Sequence, residues 1–384
     1  MASQTSSCTS GKCIKLFLCG DVMTGRGIDQ ILPHPSRPHL YESYMKSAEG
    51  YVEIAENANG EIDKPVSFDY IWGDALAELE RAAPDLRLIN LETAVTISED
   101  NWPGKGINYR MHPANIPAIN SAMIDGCILA NNHVLDWGYS GLIETLETLD
   151  NAGIKTAGAG HNQQEAGAGI VFELPGKGRV LLFAYGHGSS GVPWNWRATH
   201  EQPGVNLLDN LSGKAVNRIA RQVSAVKKSG DIVVASIHWG SNWGYGIPRS
   251  HQHFAHRLID EAGVDILHGH SSHHPRGIEV YKNRPILYGC GDFLNDYEGI
   301  RGHERYRNDL TLMYLVTLDA ADGRLIELKM VPFQIRKFRL RHPSESDRSW
   351  LSRTMNRECA VFGANVTTSM DNHLELSWDK NLIE

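Results

Sequence analysis

Residues 265–281 read Asp265-Ile-Leu-His268-Gly-His270-Ser-Ser-His273-His274-Pro-Arg276-Gly-Ile-Glu-Val-Tyr281, and a short turn leads on to Tyr288-Gly-Cys-Gly-Asp292-Phe293. The apolar start of this stretch ends abruptly in His268-Gly-His270, which is typical of a buried strand that delivers side chains to a cleft at its carboxyl end. Densely packed imidazoles would repel one another if charged, so neutral rings that bind a cation are the natural account. A polar surface loop that is rich in histidine is the alternative.

The same pattern recurs along the chain, because several predicted strands end in side chains that can bind a metal ion. Taken alone, Asp21 would be an ordinary turn residue and Glu92 an acidic residue at a helix N-terminus. Five such endings together favour a mixed oxygen and nitrogen ligand set for Mn²⁺, Fe²⁺ or Zn²⁺, bound as one ion or as two ions that share a carboxylate. The residues are Asp21, Glu92, Asn132 with His133, His238, and His270 with His273.

Helical patterns alternate with these strands, which predicts an α/β fold. The 384 residues are enough for one large catalytic domain with insertions. We expect a disordered tail over residues 1–14 and a domain over residues 15–335. Loop insertions are expected at about 31–68 and 186–212, and a helical and irregular C-terminal extension over 336–384.

The charge and hydropathy of the chain exclude several classes of partner. The formal net charge is −8, and no run of Lys and Arg suggests a nucleic-acid track. The longest apolar runs have strand length and fall short of a membrane span. The polar N-terminal segment lacks the apolar region of a secretory signal, so we expect a cytoplasmic protein. A small-molecule, peptide or anionic polymer substrate fits this composition.

Over about residues 15–300, the order of the motifs resembles that of CapA-type poly-γ-glutamate capsule synthesis proteins, which are related to the calcineurin-like metallophosphatases. This resemblance implies a four-layer αββα sandwich with the site where the strands end. The motifs that carry it are Gly20-Asp21-Val-Met-Thr-Gly-Arg26, Asn90-Leu-Glu92-Thr, Ala130-Asn-Asn132-His133-Val-Leu-Asp136-Trp-Gly, His238-Trp-Gly, Gly269-His270-Ser-Ser-His273, Gly277-Ile-Glu-Val-Tyr and Tyr288-Gly-Cys-Gly-Asp292-Phe.

The resemblance also implies roles for individual residues. Glu92 takes the place of the usual bridging aspartate, and Met23 occupies the histidine position of the Asp-x-His motif, so one of two metal sites loses a ligand. His133 would be the general acid, with Asp136 orienting it. The implied metal ligands are Asp21, Glu92, Asn132, His238, His270 and His273.

These residues lead us to expect a metal-dependent hydrolase that acts on a phosphoester or on a γ-glutamyl or peptide substrate linked to poly-γ-glutamate or capsule synthesis. Arg26, Arg110 and Arg276 are candidates to hold an anionic substrate. One alternative is a metal-dependent peptide epimerase that works by α-proton chemistry. Another is a non-catalytic accessory protein that binds polyglutamate.

Overall fold

The computed structural model describes residues 12–379. Within this range, the chain alternates strands with helices as the sequence predicts. The strands are β1 (Cys13–Val22), β2 (Leu86–Leu91), β3 (Ala94–Val95), β4 (Arg110–Met111), β5 (Gly126–Ile128), β6 (Lys155–Ala157), β7 (Ala159–Gly160), β8 (Ile170–Leu174), β9 (Gly178–His187), β10 (Gly204–Val205), β11 (Leu207–Leu208), β12 (Ile232–His238), β13 (Ile266–His270), β14 (Ile278–Tyr281), β15 (Arg284–Leu287), β16 (Asp292–Leu294), β17 (Leu310–Asp319), β18 (Leu325–Ile335), β19 (Leu340–Arg341), β20 (Ala364–Thr368) and β21 (Leu374–Trp378). The helices are α1 (Gly27–Ile31), α2 (Glu49–Asn59), α3 (Ala75–Ala82), α4 (Pro117–Asn120), α5 (Gly138–Asn151), α6 (Gln163–Gly167), α7 (Gly213–Ser224), α8 (Arg249–Ala262) and α9 (Glu345–Ala360).

Two large sheets form the centre of the fold. The first sheet has the order β20-β21-β18-β17-β1-β2-β5-β6, and β16 pairs with β1 beside this path. The second has the order β11-β9-β12-β13-β15-β14. Strands β1, β2, β5 and β6 run parallel in the first sheet, as do β9, β12, β13 and β15 in the second. Each sheet therefore has a parallel half whose strands end at one edge.

Alternate side chains of β9 show how the layers stack. Val180 and Leu182 belong to the core shared with the first sheet, whereas Leu181 and Phe183 pack with α7 and α8. Apolar residues of α3 and α5 contribute to the core around the first sheet. This arrangement of helix, sheet, sheet and helix confirms the four-layer α/β sandwich. Within residues 12–379, no helix has the length and apolarity needed to cross a membrane.

The structure corrects two expectations about the ends of the domain. Strand β1 begins at Cys13 because Cys13 and Ile14 pair with β17, so these residues are not part of a disordered tail. The rest of the expected tail, residues 1–11, lies outside the described residues. The C-terminal segment contains the expected helix, α9, but β20 and β21 form a regular hairpin next to β18. Alternating apolar residues bury one face of this hairpin, namely Ala364, Val366, Leu374 and Leu376.

The two expected insertions also contain regular structure. The first holds α2, whose Tyr51, Val52 and Ala55 are buried. The second holds β10 and β11, and β11 extends the second sheet by pairing with β9. Strands β14 and β15 pair as an antiparallel hairpin between Ile278 and Leu287. Lys282 and Asn283 form its turn with positive φ angles of 47° and 60°.

A close contact between two glycines sets the position of the end of β1. The Asp21 N–H donates to the Gly291 carbonyl at 3.0 Å. A Cβ atom added at Gly20 would lie 1.6 Å from the same oxygen, which is backbone and cannot rotate away. The absence of a side chain at Gly20 is therefore a requirement of this packing.

We predict that Gly20→Ala lowers the free energy of unfolding by about 1–3 kcal/mol or more, because the overpacked backbone must shift. Gly246→Ala is the matched control, since Gly246 has no heavy atom within 4 Å of an added Cβ. The control should stay within about 0.5 kcal/mol of wild type. Chemical denaturation measures both, and equal effects of the two substitutions would contradict the packing argument.

Candidate metal centre

The expected metal ligands converge where the parallel strands of both sheets end. In the first sheet, the register aligns Asp21 of β1 with Asn90 of β2 and with Asp292 of β16. In the second, His238 at the end of β12 aligns with His270 at the end of β13. Parallel strands that end at the same edge bring these side chains together across the sandwich.

Two groups of buried ligand atoms lie within residues 12–379, and both include Asp21. The first consists of Asp21, His238 and His270, and the second of Asp21, His273 and Asp292. Within each group, one ligand atom from every residue lies within 4.8 Å of the others. A carboxylate shared by two groups is the arrangement expected for a pair of ions.

The Asp21 carboxylate is fully buried and held by two donors. Asn90 Nδ2 donates to Oδ1 at 2.7 Å, and the Ser271 N–H donates to Oδ2 at 3.1 Å. Burial and the nearby Asp292 carboxylate nevertheless raise the pKa of Asp21 to about 7. The protein alone therefore stabilises this anion incompletely.

Glu92 and Asn132 border the first group. Glu92 Oε1 lies 3.7 Å from His238 Nε2, and Asn132 Oδ1 lies 2.9 Å from the same nitrogen. Burial, reinforced by the Asp21 charge, raises the pKa of Glu92 well above its ordinary value. The structure brings both residues to the site without including either in the two compact groups.

Asp292 is a candidate ligand that the strand-end pattern missed. Its Oδ1 lies 2.8 Å from His273 Nδ1, and Asn295 Nδ2 donates to Oδ2 at 2.8 Å. Burial opposes the charge on His273, but Asp292 outweighs it and raises the pKa of His273. Asp292 begins β16 instead of ending a strand, so the pattern did not select it, although the quoted Gly-Cys-Gly-Asp292 motif contained the signal.

The donor set suits a divalent transition-metal ion. Burial lowers the pKa of His238 and of His270 well below the ordinary value, so both rings offer neutral nitrogen lone pairs. Three buried carboxylates, those of Asp21, Glu92 and Asp292, lie beside them. A cation would offset this buried negative charge, and oxygen with imidazole donors fits Mn²⁺, Fe²⁺ or Zn²⁺.

His133 and Asp136 form a dyad next to the ligand groups. His133 Nδ1 lies 2.6 Å from Asp136 Oδ2, and the opposite nitrogen, Nε2, lies 3.8 Å from Glu92 Oε1. The Tyr109 N–H donates to the same Asp136 oxygen at 2.7 Å. Burial lowers the pKa of His133 to about 4, although Asp136 opposes the shift. The ring is therefore neutral at pH 7.

A cleft of about 660 Å³ opens over these residues. Its lining includes Glu92, Asn132, His133, Ser271 and His273. Its walls are partly aromatic and polar, and the lining includes Trp102, Lys105, Tyr109, Asn195, Asn242 and Tyr297. The lining thus includes His133 of the dyad, His273 of the second group, and the two residues that border the first group, Glu92 and Asn132.

The structure does not bring the three expected arginines to this cleft. Arg26 is buried and paired with Glu42 and Asp296. Arg110 donates to the Ser98 carbonyl at 2.6 Å and stacks on Trp137.

Arg276 is also buried, and its guanidinium donates to the Ser241 carbonyl at 2.6 Å. Arg276 Nε has no hydrogen-bond partner among the described residues. The contacts that the three guanidinium groups do make are with residues elsewhere in the chain, which sequence reasoning could not show.

Lys105 is the cation that does line the cleft. Its Nζ lies 2.7 Å from Asp136 Oδ1 and 3.1 Å from His133 Nδ1. The side chain also lies over the Trp196 ring, with Nζ 5.4 Å from the centroid. Lys105 lies in a loop with several aromatic and cationic residues, between Trp102 and His112, but no sequence pattern singled it out.

Comparison with known proteins places this chain in a family. The profile of the family described as "Bacterial capsule synthesis protein PGA_cap" matches residues 15–297. The chain belongs to this family. The resemblance to CapA-type proteins is therefore confirmed, and the residues that converge in the structure all lie inside the PGA_cap match.

Two relatives of this PGA_cap protein show how far the similarity extends. A "probable polyglutamine synthesis accessory protein" of Mycobacterium tuberculosis is 48% identical over 370 residues, which cover 96% of this chain and 97% of that protein. The "capsule biosynthesis protein CapA" of Bacillus anthracis is 24% identical over 84% of this chain and 68% of its own length. Among solved structures, a Mycoplasma pneumoniae phosphatase covers 84% of this chain and 94% of its own, with a TM-score of 0.46 and 12% identity.

We predict that each of the two ligand groups binds its own divalent ion, so that substitutions in one group affect one ion. His270→Ala should remove one divalent ion, His273→Ala the other, and Asp21→Asn should weaken both, because only Asp21 belongs to both groups. His256→Ala is the matched control, since His256 of α8 pairs with Glu279 of β14, outside the two groups. Elemental analysis of protein purified without chelator, together with calorimetric titration of Mn²⁺, Fe²⁺ and Zn²⁺, measures the stoichiometry.

Folded wild-type protein that takes up none of these ions would contradict the metal assignment. Loss of both ions on substitution of His273 alone would contradict the separation into two groups.

Proposed function

We propose that this PGA_cap protein is a metal-dependent hydrolase. The observation that carries the proposal is the single buried carboxylate, Asp21, shared by two ligand groups. The His133–Asp136 dyad faces the same cleft. Two-ion sites beside an acid-base residue are a recurrent solution for hydrolysis of esters and amides.

The proposed ion ligands are Asp21, His238 and His270 for one ion and Asp21, His273 and Asp292 for the other, with Glu92 and Asn132 beside the first. A bound divalent ion supplies Lewis-acid polarisation of a substrate oxygen and activation of water. The protein's own contribution is to keep both imidazole and carboxylate donors buried and fixed, so that they do not reorganise during the reaction.

His133 is the proposed proton carrier. Asp136 accepts the Nδ1 proton, so the ring is held with Nε2 towards Glu92 and the cleft. Because the ring is neutral at pH 7, Nε2 accepts a proton before it can donate one to the leaving group. Lys105, which contacts both members of the dyad, limits the build-up of negative charge at Asp136 and offers a cation to an anionic substrate.

The substrate we propose is a γ-glutamyl or other peptide-type compound, or a phosphoester. The names of the relatives refer to capsule biosynthesis and to polyglutamine synthesis, which supports a carboxylate-bearing polymer or a fragment of it. The aromatic and amide lining of the cleft suits an extended chain of peptide groups, with Lys105 for one carboxylate. A cytoplasmic location stays a prediction.

A second candidate is a non-catalytic accessory protein that binds polyglutamate in the same cleft. The word "accessory" in the name of the 48% identical relative favours it. So does Met23, which is fully buried where metallophosphatases carry a histidine.

We predict that the wild-type protein, loaded with the ion it retains, hydrolyses a member of a panel of phosphoesters and γ-glutamyl peptides. His133→Ala should lower kcat by about 10²–10⁴, the usual contribution of general acid-base catalysis. Metal content and substrate affinity should remain at the wild-type level, because His133 belongs to neither ligand group. Steady-state kinetics, elemental analysis and calorimetry measure the three quantities.

His256→Ala serves again as the control and should retain full turnover. Tight binding of polyglutamate with no turnover by loaded wild-type protein, and unchanged affinity in His133→Ala, would favour the accessory function instead. Inversion at an α-carbon without bond cleavage, read from product stereochemistry, would favour epimerisation.

A further inference from the structure

A chain of three hydrogen bonds runs behind the first ligand group. It begins at the carbonyl oxygen of Cys19 on β1, which lies 2.8 Å from His268 Nε2. His268 Nδ1 lies 3.0 Å from Ser236 Oγ on β12. The same hydroxyl lies 2.8 Å from Nε2 of His270, the last residue of β13. All four residues are fully buried.

The donors and acceptors along this chain can run in only one direction. A backbone carbonyl only accepts, so His268 Nε2 carries a proton and donates it to Cys19. Among residues 12–379, the two ring nitrogens of His268 contact only this carbonyl and the Ser236 hydroxyl, with no carboxylate beside them to favour a charged ring, so Nδ1 is the acceptor of a neutral imidazole. The single Ser236 hydroxyl proton therefore points to His268 Nδ1, and its oxygen is left to accept from His270 Nε2.

We propose that Ser236 and His268 are positioning residues that hold His270 in the Nε2–H tautomer, so that its bare Nδ1 is the atom offered to the metal ion. This inference rests on the proposed function in one respect, because it assumes that His270 binds a metal ion. The position of the atoms agrees with it. His270 Nδ1 lies 3.7 Å from Asp21 Oδ1 and 2.8 Å from His238 Nδ1, the other residues of the first group.

This chain of three hydrogen bonds from Cys19 to His270, called the relay below, also connects the two sheets. Cys19 belongs to the first sheet, whereas Ser236, His268 and His270 belong to the second. The Cys19 carbonyl of the opposite sheet therefore determines which atom donates and which accepts in each hydrogen bond of the relay. A hydrogen-bonded partner on the second nitrogen is the usual means of fixing a ligating histidine, and its loss typically weakens metal binding by about 10–100-fold.

The first measurement is the tautomer of His270 in metal-free wild-type protein. Long-range ¹H–¹⁵N NMR spectra of protein labelled with ¹⁵N-histidine distinguish the protonated from the bare ring nitrogen, and His270→Gln assigns the signal. We expect the proton on Nε2 of both His268 and His270. A proton on His270 Nδ1 would overturn the proposal without requiring any variant to fold.

The second measurement compares Ser236→Ala with wild type. We expect the affinity for the ion of the first group to fall by about 10–100-fold in chelator competition, while the ion of the His273 group is bound as before. Ser190→Ala is the matched control, because its buried hydroxyl bonds the His187 and His238 carbonyls and touches no ligand ring. The control should bind both ions as wild type does.

The two proposals fail in different ways. Wild-type affinity in folded Ser236→Ala would overturn the relay and leave the hydrolase proposal intact. Metal-bound protein with no turnover of any substrate would count against the hydrolase, whereas the tautomer and the effect of Ser236→Ala would still support the relay.

Discussion

The buried carboxylate of Asp21 is the constraint on which the rest of the structure depends. An isolated carboxylate in a protein interior is costly unless donors and a cation compensate for the lost water. Asn90 and the backbone of Ser271 provide the donors, and Ser271 adopts a φ of 99° in doing so. Such a backbone angle costs on the order of 1–3 kcal/mol in a residue other than glycine, so the hydrogen bond to Asp21 must outweigh it. The pKa of about 7 shows that these donors alone are not sufficient, and a shared cation would complete the compensation.

The two sheets divide the ligand chemistry between them. Asp21, Glu92 and Asp292 come from or follow strands of the first sheet, whereas the candidate ligand histidines end or follow β12 and β13 of the second. Neither sheet alone could bind the ion tightly, since one would supply clustered negative charge and the other only neutral nitrogens. The close contact of Gly20 with Gly291 and the hydrogen bond from His268 to Cys19 fix the position of β1 against its neighbours on both sides. The contacts that pack the two sheets together therefore also determine the geometry of the site.

The sequence predicted the features that depend on local pattern. Apolar runs that end in Asp21, His238 and His270 were sufficient to predict buried strands with ligands at one edge, and the motif order was sufficient for the layers. Features that depend on distant partners were not predictable. Arg26 looks free in its loop, but it is neutralised by Asp296, which lies 270 residues later. Asp292 was not selected because it begins its strand instead of ending one. The C-terminal hairpin was not predicted because its alternation of apolar and polar residues is short, and its pairing with β18 is visible only in the structure.

The resemblance stated from the sequence predicted the loss of one ligand at Met23, yet the described residues still contain a second candidate ligand group. The Met23 side chain is buried, with its sulfur 3.8 Å from the Tyr297 hydroxyl, and it offers no strong ligand. Asp292 supplies a carboxylate to the second group instead, so that group has two carboxylates and one imidazole. Each group contains a close pair of ligand atoms, because His270 Nδ1 lies 2.8 Å from His238 Nδ1 and His273 Nδ1 lies 2.8 Å from Asp292 Oδ1. An ion in the second group must displace a proton that Asp292 favours on His273, since that carboxylate raises the pKa of the ring, whereas burial keeps both rings of the first group neutral. The first group should therefore bind more tightly than the second, which reconciles a site with two ligand groups with the expectation of one tightly bound ion.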